Sequence, residues 1–284
     1  MKKNVLTKIF FSLFVFSFTL FMISFCTGTE VRSPKSVNSA LVNPAHRENI
    51  RIILIQSPQG IISLKNENDI WSAEEQGIHT FAEEKNIESL IKNLTKIRKM
   101  YKISDSLEAK IDLSLTQDSA KIITIIDNRG LVVSKLYFGL QTALTSRINL
   151  CTENAKVCYE TEDNISAYLH TDIDFWTKPE IFFAVKNPSN LNIPAADLST
   201  LLSLRHGKVL LSQNVPYGCT RIDSVTLIGQ FNSFQTVDFY SRKNDDGTDE
   251  YFYIQHIEPE TITNNAVYEI SGWTYSRLTT LLKR

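Results

Sequence analysis

The chain has 284 residues, a formal net charge of −1 and 21% charged side chains. That balance lacks the concentrated positive field that phosphate backbones demand, so no nucleic-acid partner is expected. A hydrophobic fraction of 43%, with only 10 Gly and 8 Pro, belongs to a folded globular body rather than to a disordered or fibrous chain.

The first segment carries an address. Lys2, Lys3 and Lys8 precede an almost unbroken apolar run over residues 9–25, and Cys26 closes it. A positive start followed by a short apolar core has the form of a secretory signal, and a terminal cysteine points to lipidation. The cations stay on the cytoplasmic side, so the chain after residue 26 is expected outside the cytoplasmic membrane. Ile23-Ser24-Phe25-Cys26 resembles the relaxed lipoprotein signals of spirochaetes. Phe25 departs from the small side chain usual beside the cut. The alternative to a lipidated Cys26 is an uncleaved signal anchor, because the apolar run sits at the short edge of the roughly 20 residues that span a bilayer. Both alternatives give the same topology.

Residues 27–48 are polar, contain two prolines and show no period, which predicts a flexible tether. The β-branched runs 50–56 and 61–65 flank Ser57-Pro58-Gln59-Gly60 and predict a hairpin. A short strand follows at 69–73. Thr80-Phe81-Ala82-Glu83 has capping-box spacing. Ile87, Leu90, Ile91, Leu94 and Ile97 then recur at helical intervals and predict an amphipathic helix. Lys92, Lys96, Arg98, Lys99 and Lys102 are read as its solvated side and exit.

Strand signals dominate afterwards, over 109–115, 121–127 and 131–136, with Asp127-Asn128-Arg129-Gly130 as a hairpin turn. Next comes a candidate hairpin carrying Cys151 and Cys158. A turn at Asn154-Ala155 would make the two cysteines cross-strand neighbours, and in an exported protein such a pair is a candidate disulfide. Two reduced thiols on a hairpin are the alternative. Cys219 has no evident partner and reads as a small buried residue. Segments 166–171 and 174–176 read as further strands, and 187–199 as a connecting loop. The tail predicts strands at 208–212, 221–230, 233–242 and 250–256, then a strand running into a short helix after Val267.

This order predicts an α+β fold of antiparallel hairpin sheets with a few helices packed on them. The expected divisions are 1–26 as signal peptide or membrane anchor, 27–48 as tether, 49–186 as a first α+β lobe, 187–200 as connector and 201–284 as a second β-rich lobe. An echo between Asn164…Tyr168…Trp176 and Asn265…Tyr268…Trp273 raises the option that the two lobes are related.

No chemical motif stands out. The five histidines are scattered, and none sits in His-x-His or His-Glu-x-x-His spacing, so no metal is expected. There is no Gly-x-Ser-x-Gly elbow and no phosphate-binding glycine loop. Residues 244–249 (Asn-Asp-Asp-Gly-Thr-Asp) imitate a calcium loop, but the sixth position is Asp249 rather than Gly, so they read as a hairpin tip. Asp172, Asp174, Glu258 and Glu260 read as exposed loop acids. Trp71, Trp176 and Trp273 each follow a strand or turn signal and read as core packing under loops. No catalytic residue and no cofactor is expected.

The block Ile61-Ile-Ser-Leu-Lys65…Ile70-Trp71, the patterned helix over 81–97, Leu136-Tyr-Phe-Gly139, the Tyr168 segment and Leu204-Arg205-His-Gly-Lys-Val-Leu210 together resemble the bacterial domain-of-unknown-function family 4340 across residues 50–284. The connector at 187–199 and the paired cysteines depart from that pattern. The resemblance implies a membrane-tethered extracytoplasmic protein, an accessory partner of export-type ABC transporters, with no catalytic residues to carry over. The functional expectation is therefore a non-enzymatic binding or scaffolding module, anchored in the cell envelope or periplasm and serving a membrane complex with protein partners. An independent ligand-binding surface lipoprotein, for a glycan, lipid or host molecule, is the alternative, and a cell-envelope hydrolase a minor one.

Overall fold

The computed structural model describes residues 35–282 except 142–146, 154–156, 163, 192–193 and 232, together with Ser17. Cys26 and the proposed turn at Asn154-Ala155 lie outside the described residues. Among those residues, no helix is long and apolar enough to cross a membrane.

The fold is α+β, built on two antiparallel sheets. The larger contains β1 (Ser36–Ser39), β2 (Ile50–Ser57), β3 (Gly60–Glu67), β4 (Ile70–Glu75), β5 (Ile78–Phe81), β6 (Arg98–Ser104), β7 (Lys121–Asp127), β8 (Val132–Gln141), β9 (Arg147–Thr152) and β10 (Cys158–Glu162). Their order is β1-β6-β10-β9-β8-β7-β2-β3-β4-β5. The smaller contains β11 (Lys208–Leu210), β12 (Thr220–Ile228), β13 (Phe234–Lys243), β14 (Asp249–Glu258) and β15 (Val267–Ile270), in the order β11-β15-β14-β13-β12.

Local turn chemistry sets the hairpins. Ser57 pairs with Gly60, leaving Pro58-Gln59 as a two-residue loop. Asp127 accepts from the amides of Arg129 and Leu131, and Gly130 takes a φ of 76° that suits glycine. Residues 244–248 form the expected tip between β13 and β14, where Lys243 faces Asp249.

Alternation along the strands of the larger sheet sends Ile53, Ile55, Ile62, Leu64, Ile123, Ile125, Leu136 and Phe138 to one face. Helix α1 (Glu84–Thr95) covers that face with Ile87, Leu90, Ile91 and Leu94. It starts later than the capping box predicts. Thr80 lies in β5, and Glu83 is the cap, accepting from the Lys85 amide at 3.4 Å. Ile97 lies beyond the helix and is exposed, while Arg98 is buried in β6 rather than solvated.

Other expectations change as well. The predicted tether is docked from residue 36 onward: β1 pairs with β6, and a 3-10 helix spans Pro44–Asn49. The Leu41 and Val42 amides donate to the Leu94 carbonyl in the last turn of α1, an acceptor that the helix itself cannot satisfy. The predicted strand at 109–115 is instead helix α2 (Leu107–Asp112), because the Ser106 hydroxyl caps the Ala109 amide. Segment 166–171 opens in a 3-10 helix (Asn164–Tyr168), and 174–176 lies in the short helix α3 (Ile173–Trp176), capped by Asp172. The predicted connector loop contains the start of helix α4 (Ala195–Leu202).

Tyr168 is thus 3-10 helical whereas Tyr268 is in a strand. The echo between them is one of residue type and not of structure. The terminal helix α5 (Gly272–Leu282) packs through Leu278 and Leu281. One continuous core joins both sheets, running from Ile53 and Phe138 to Phe239 and Tyr268.

Candidate functional site

Segment 177–185 joins the two sheets and builds the cleft between them. Lys178 N donates to the Phe81 carbonyl, and Ala82 bridges Thr177, so the start of the segment is stitched to the end of β5. Its other end is held by Gln235 of β13. The Gln235 Oε1 accepts from the Phe183 and Ala184 amides at 3.1 Å each, and its Nε2 donates to the Ile181 carbonyl at 2.7 Å. A fully buried side-chain amide thereby satisfies backbone groups that no strand pairs.

Between these attachments lies a cavity of about 290 Å³. Its walls are Trp71, Phe81, Phe183, Val185, Phe234 and Ile257, contributed by both sheets and by the joining segment. Phe81 and Phe183 meet edge to face, with ring centroids 5.0 Å apart. The rim carries Glu84, Lys178, Ser233, Glu258 and Thr261. Lys178 Nζ lies 5.3 Å from the Phe183 ring centroid. The volume sits at the lower end of the roughly 300–1,000 Å³ typical of small-molecule sites. It accommodates an aromatic or aliphatic side chain, or a short apolar group, and not a dinucleotide or haem.

A second recess, of about 450 Å³, is larger but chemically different. Glu75, Asp172, Asp174 and Lys208 line it. Glu75 is buried, and desolvation raises its pKa, opposed by the Ile173 amide that donates to it at 2.9 Å. Asp174 is half-buried and raised by the same cause, while its carboxylate accepts from the Val209 amide. These acids are held by backbone donors of α3 and β11, so they join the larger sheet to the smaller and are not presented to a ligand. Among the described residues, no cluster of His, Cys, Asp or Glu is placed to hold a metal ion.

The candidate residues fall as follows. Cys151 and Cys158 are buried free thiols on the outer face of the larger sheet, and Cys219 is a half-buried free thiol. Of the four acids expected on exposed loops, Asp172, Glu258 and Glu260 are exposed, whereas Asp174 is drawn inward by Val209. Trp176 is fully buried, and Trp71 is buried with one side lining the cleft. Trp273 departs from the expected core role. It is 66% exposed, with the Arg277 guanidinium 5.0 Å from its ring. Sequence reasoning did not single out Phe183, Phe234 or Ile257. Phe234 and Ile257 are ordinary apolar residues near strand ends and Phe183 lies in the joining segment, and only the packing of two sheets makes them one wall. The chain matches no protein-family model, no curated protein and no solved structure.

Proposed function

We propose that this chain is a membrane-anchored, extracytoplasmic and non-enzymatic binding module whose working surface is the inter-sheet cleft. Its partner is a protein of the envelope, in keeping with the accessory role that the family resemblance implies, and the cleft receives an apolar side chain of that partner. One observation carries the reading. An open cavity walled by four aromatic rings is held apart by a buried glutamine rather than collapsed, so apolar surface remains available to a second molecule. Burying such surface is worth about 25 cal/mol per Å². The mixed charges of Lys178, Glu84 and Glu258 at the rim suit a polypeptide segment, which presents both signs, better than a ligand of one charge.

The test is site-specific photocrosslinking in membranes with the full chain. A benzophenone side chain at Phe234 should capture a discrete envelope protein. The same group at Tyr217, which is fully exposed and does not line the cleft, should not. Equal yields at both positions, or none at Phe234, would count against the cleft as the binding surface.

A further inference from the structure

The two buried cysteines of the larger sheet occupy a special kind of strand pair. The β9–β10 register sets Leu150 opposite Tyr159 and Asn149 opposite Glu160. The observed ladder ends at Leu150 and Tyr159, and against β6 the strand shifts register between Cys158 and Tyr159. Extending the β9–β10 register by one step sets Cys151 opposite Cys158. The neighbouring ladder shows which way the Cys151 backbone points. Glu153 N donates to the Lys135 carbonyl at 3.1 Å, and that β8–β9 register pairs Tyr137 with Cys151. Amide direction alternates along a strand, so Cys151, two residues from Glu153, also turns its N–H and C=O towards β8. Across β9–β10 it is therefore in a non-hydrogen-bonded pair. Such pairs hold Cα atoms about 4.5 Å apart and bring side chains closest, within the roughly 4.4–6.8 Å that a disulfide spans.

The side chains share one environment. Both lie in a small apolar cluster with Leu115, Ala120, Ile122 and Tyr137, separate from the main core. Exposure is 1% for Cys151 and 0% for Cys158. Burial raises the pKa of both thiols. Neither resembles the low-pKa, accessible thiol of a redox catalyst.

We propose that Cys151 and Cys158 form a structural cross-strand disulfide when this chain folds in an oxidising environment. Both S–H bonds break and one Sγ–Sγ bond forms. Two electrons and two protons pass to a disulfide oxidant of the glutathione type, which is released as two thiols. The bond forms before residues 113–120 pack over the pair, while the thiols still meet solvent. Cys219, just before β12 of the smaller sheet, remains a thiol.

The full chain is reduced, unfolded and refolded in detergent with reduced and oxidised glutathione, then alkylated and digested with trypsin. Cleavage after Lys156 separates the two cysteines, so peptides 148–156 and 157–186 stay joined only through the bridge. The expected result is that joined pair, released by reductant, with Cys219 alkylated. Alkylation of both Cys151 and Cys158, or a bridge from either to Cys219 or Cys26, would overturn the proposal. A second measurement uses protein folded in an oxidising compartment without refolding. A reductant should lower the unfolding midpoint of the wild type and leave that of the Cys151→Ser/Cys158→Ser double variant unchanged. An unmoved wild-type midpoint is the opposing result. Neither arm depends on what the inter-sheet cleft binds.

Discussion

Thr80 Oγ1 and Tyr268 OH lie 2.6 Å apart in the buried joint between the two sheets, although 188 positions separate them in the chain. Tyr268 also donates to Asn264 Oδ1, accepts from Gln255 Nε2 and stacks on Tyr253, with ring centroids 4.6 Å apart. Gln255 in turn accepts from Gln235, the residue that holds the rear of the cleft. The joint and the cleft are thus one hydrogen-bonded unit.

Removing either hydroxyl should weaken the whole protein. Tyr268→Phe and Thr80→Val should each cost about 1–3 kcal/mol, because each leaves buried polar partners unsatisfied. The double variant should cost less than the sum of the two. Urea unfolding of the cycle is the measurement. Strict additivity would show that the pair is not coupled in solution.

Gly139 is a steric requirement rather than a flexible point. A Cβ at this position would overlap the Leu113 carbonyl oxygen and press on the Leu115 side chain. Gly139→Ala should therefore displace the cover over Cys151 and Cys158 and destabilise the fold by about 1–3 kcal/mol. Faster alkylation of the reduced cysteines in the variant would report the displaced cover, and unchanged alkylation would argue against it.

Glu75 predicts a pH dependence. Burial raises its pKa, and the charges of Asp172 and Asp174 add to the shift. The fold therefore favours the protonated carboxyl. Its stabilising contribution is complete below the ordinary glutamate pKa of about 4.3. It is lost as pH rises through the raised value in the folded state. Glu75→Gln keeps an oxygen for the Ile173 amide and removes the charge. The variant should match the wild type near pH 4 and exceed it in stability at pH 7. A stability difference that stays flat, or changes in the other direction, would refute this account of the acidic recess.

The anchoring proposal has its own test. Palmitate should label the wild-type chain and not Cys26→Ala. Equal labelling of both would leave the uncleaved-anchor alternative and remove the lipoprotein one.

Residues close in sequence wrote their structure openly. Pro58-Gln59, Asp127 to Gly130 and the 244–248 tip make hairpins through turn chemistry contained in a few residues. Ile87 to Leu94 declare a helix by periodicity alone. The residues 109–115 misled because Ile111 and Leu113 fit either period, and the Ser106 cap decided for helix. Leu41 and Val42 looked like part of a tether because their acceptor, Leu94, lies far along the chain.

What the sequence by itself determined is therefore the α+β class, the order of most strands and the absence of a recognisable chemical motif. Tertiary structure alone decided that Thr80 is a joint residue and not a helix cap, that a Cβ at Gly139 meets the Leu113 carbonyl oxygen, and that Trp71 and five other apolar side chains enclose a cleft. The physical reason is distance along the chain. Turns and helices are stabilised by contacts within a few residues, whereas the joint and the cleft arise from sheet packing, whose partners carry no local signature.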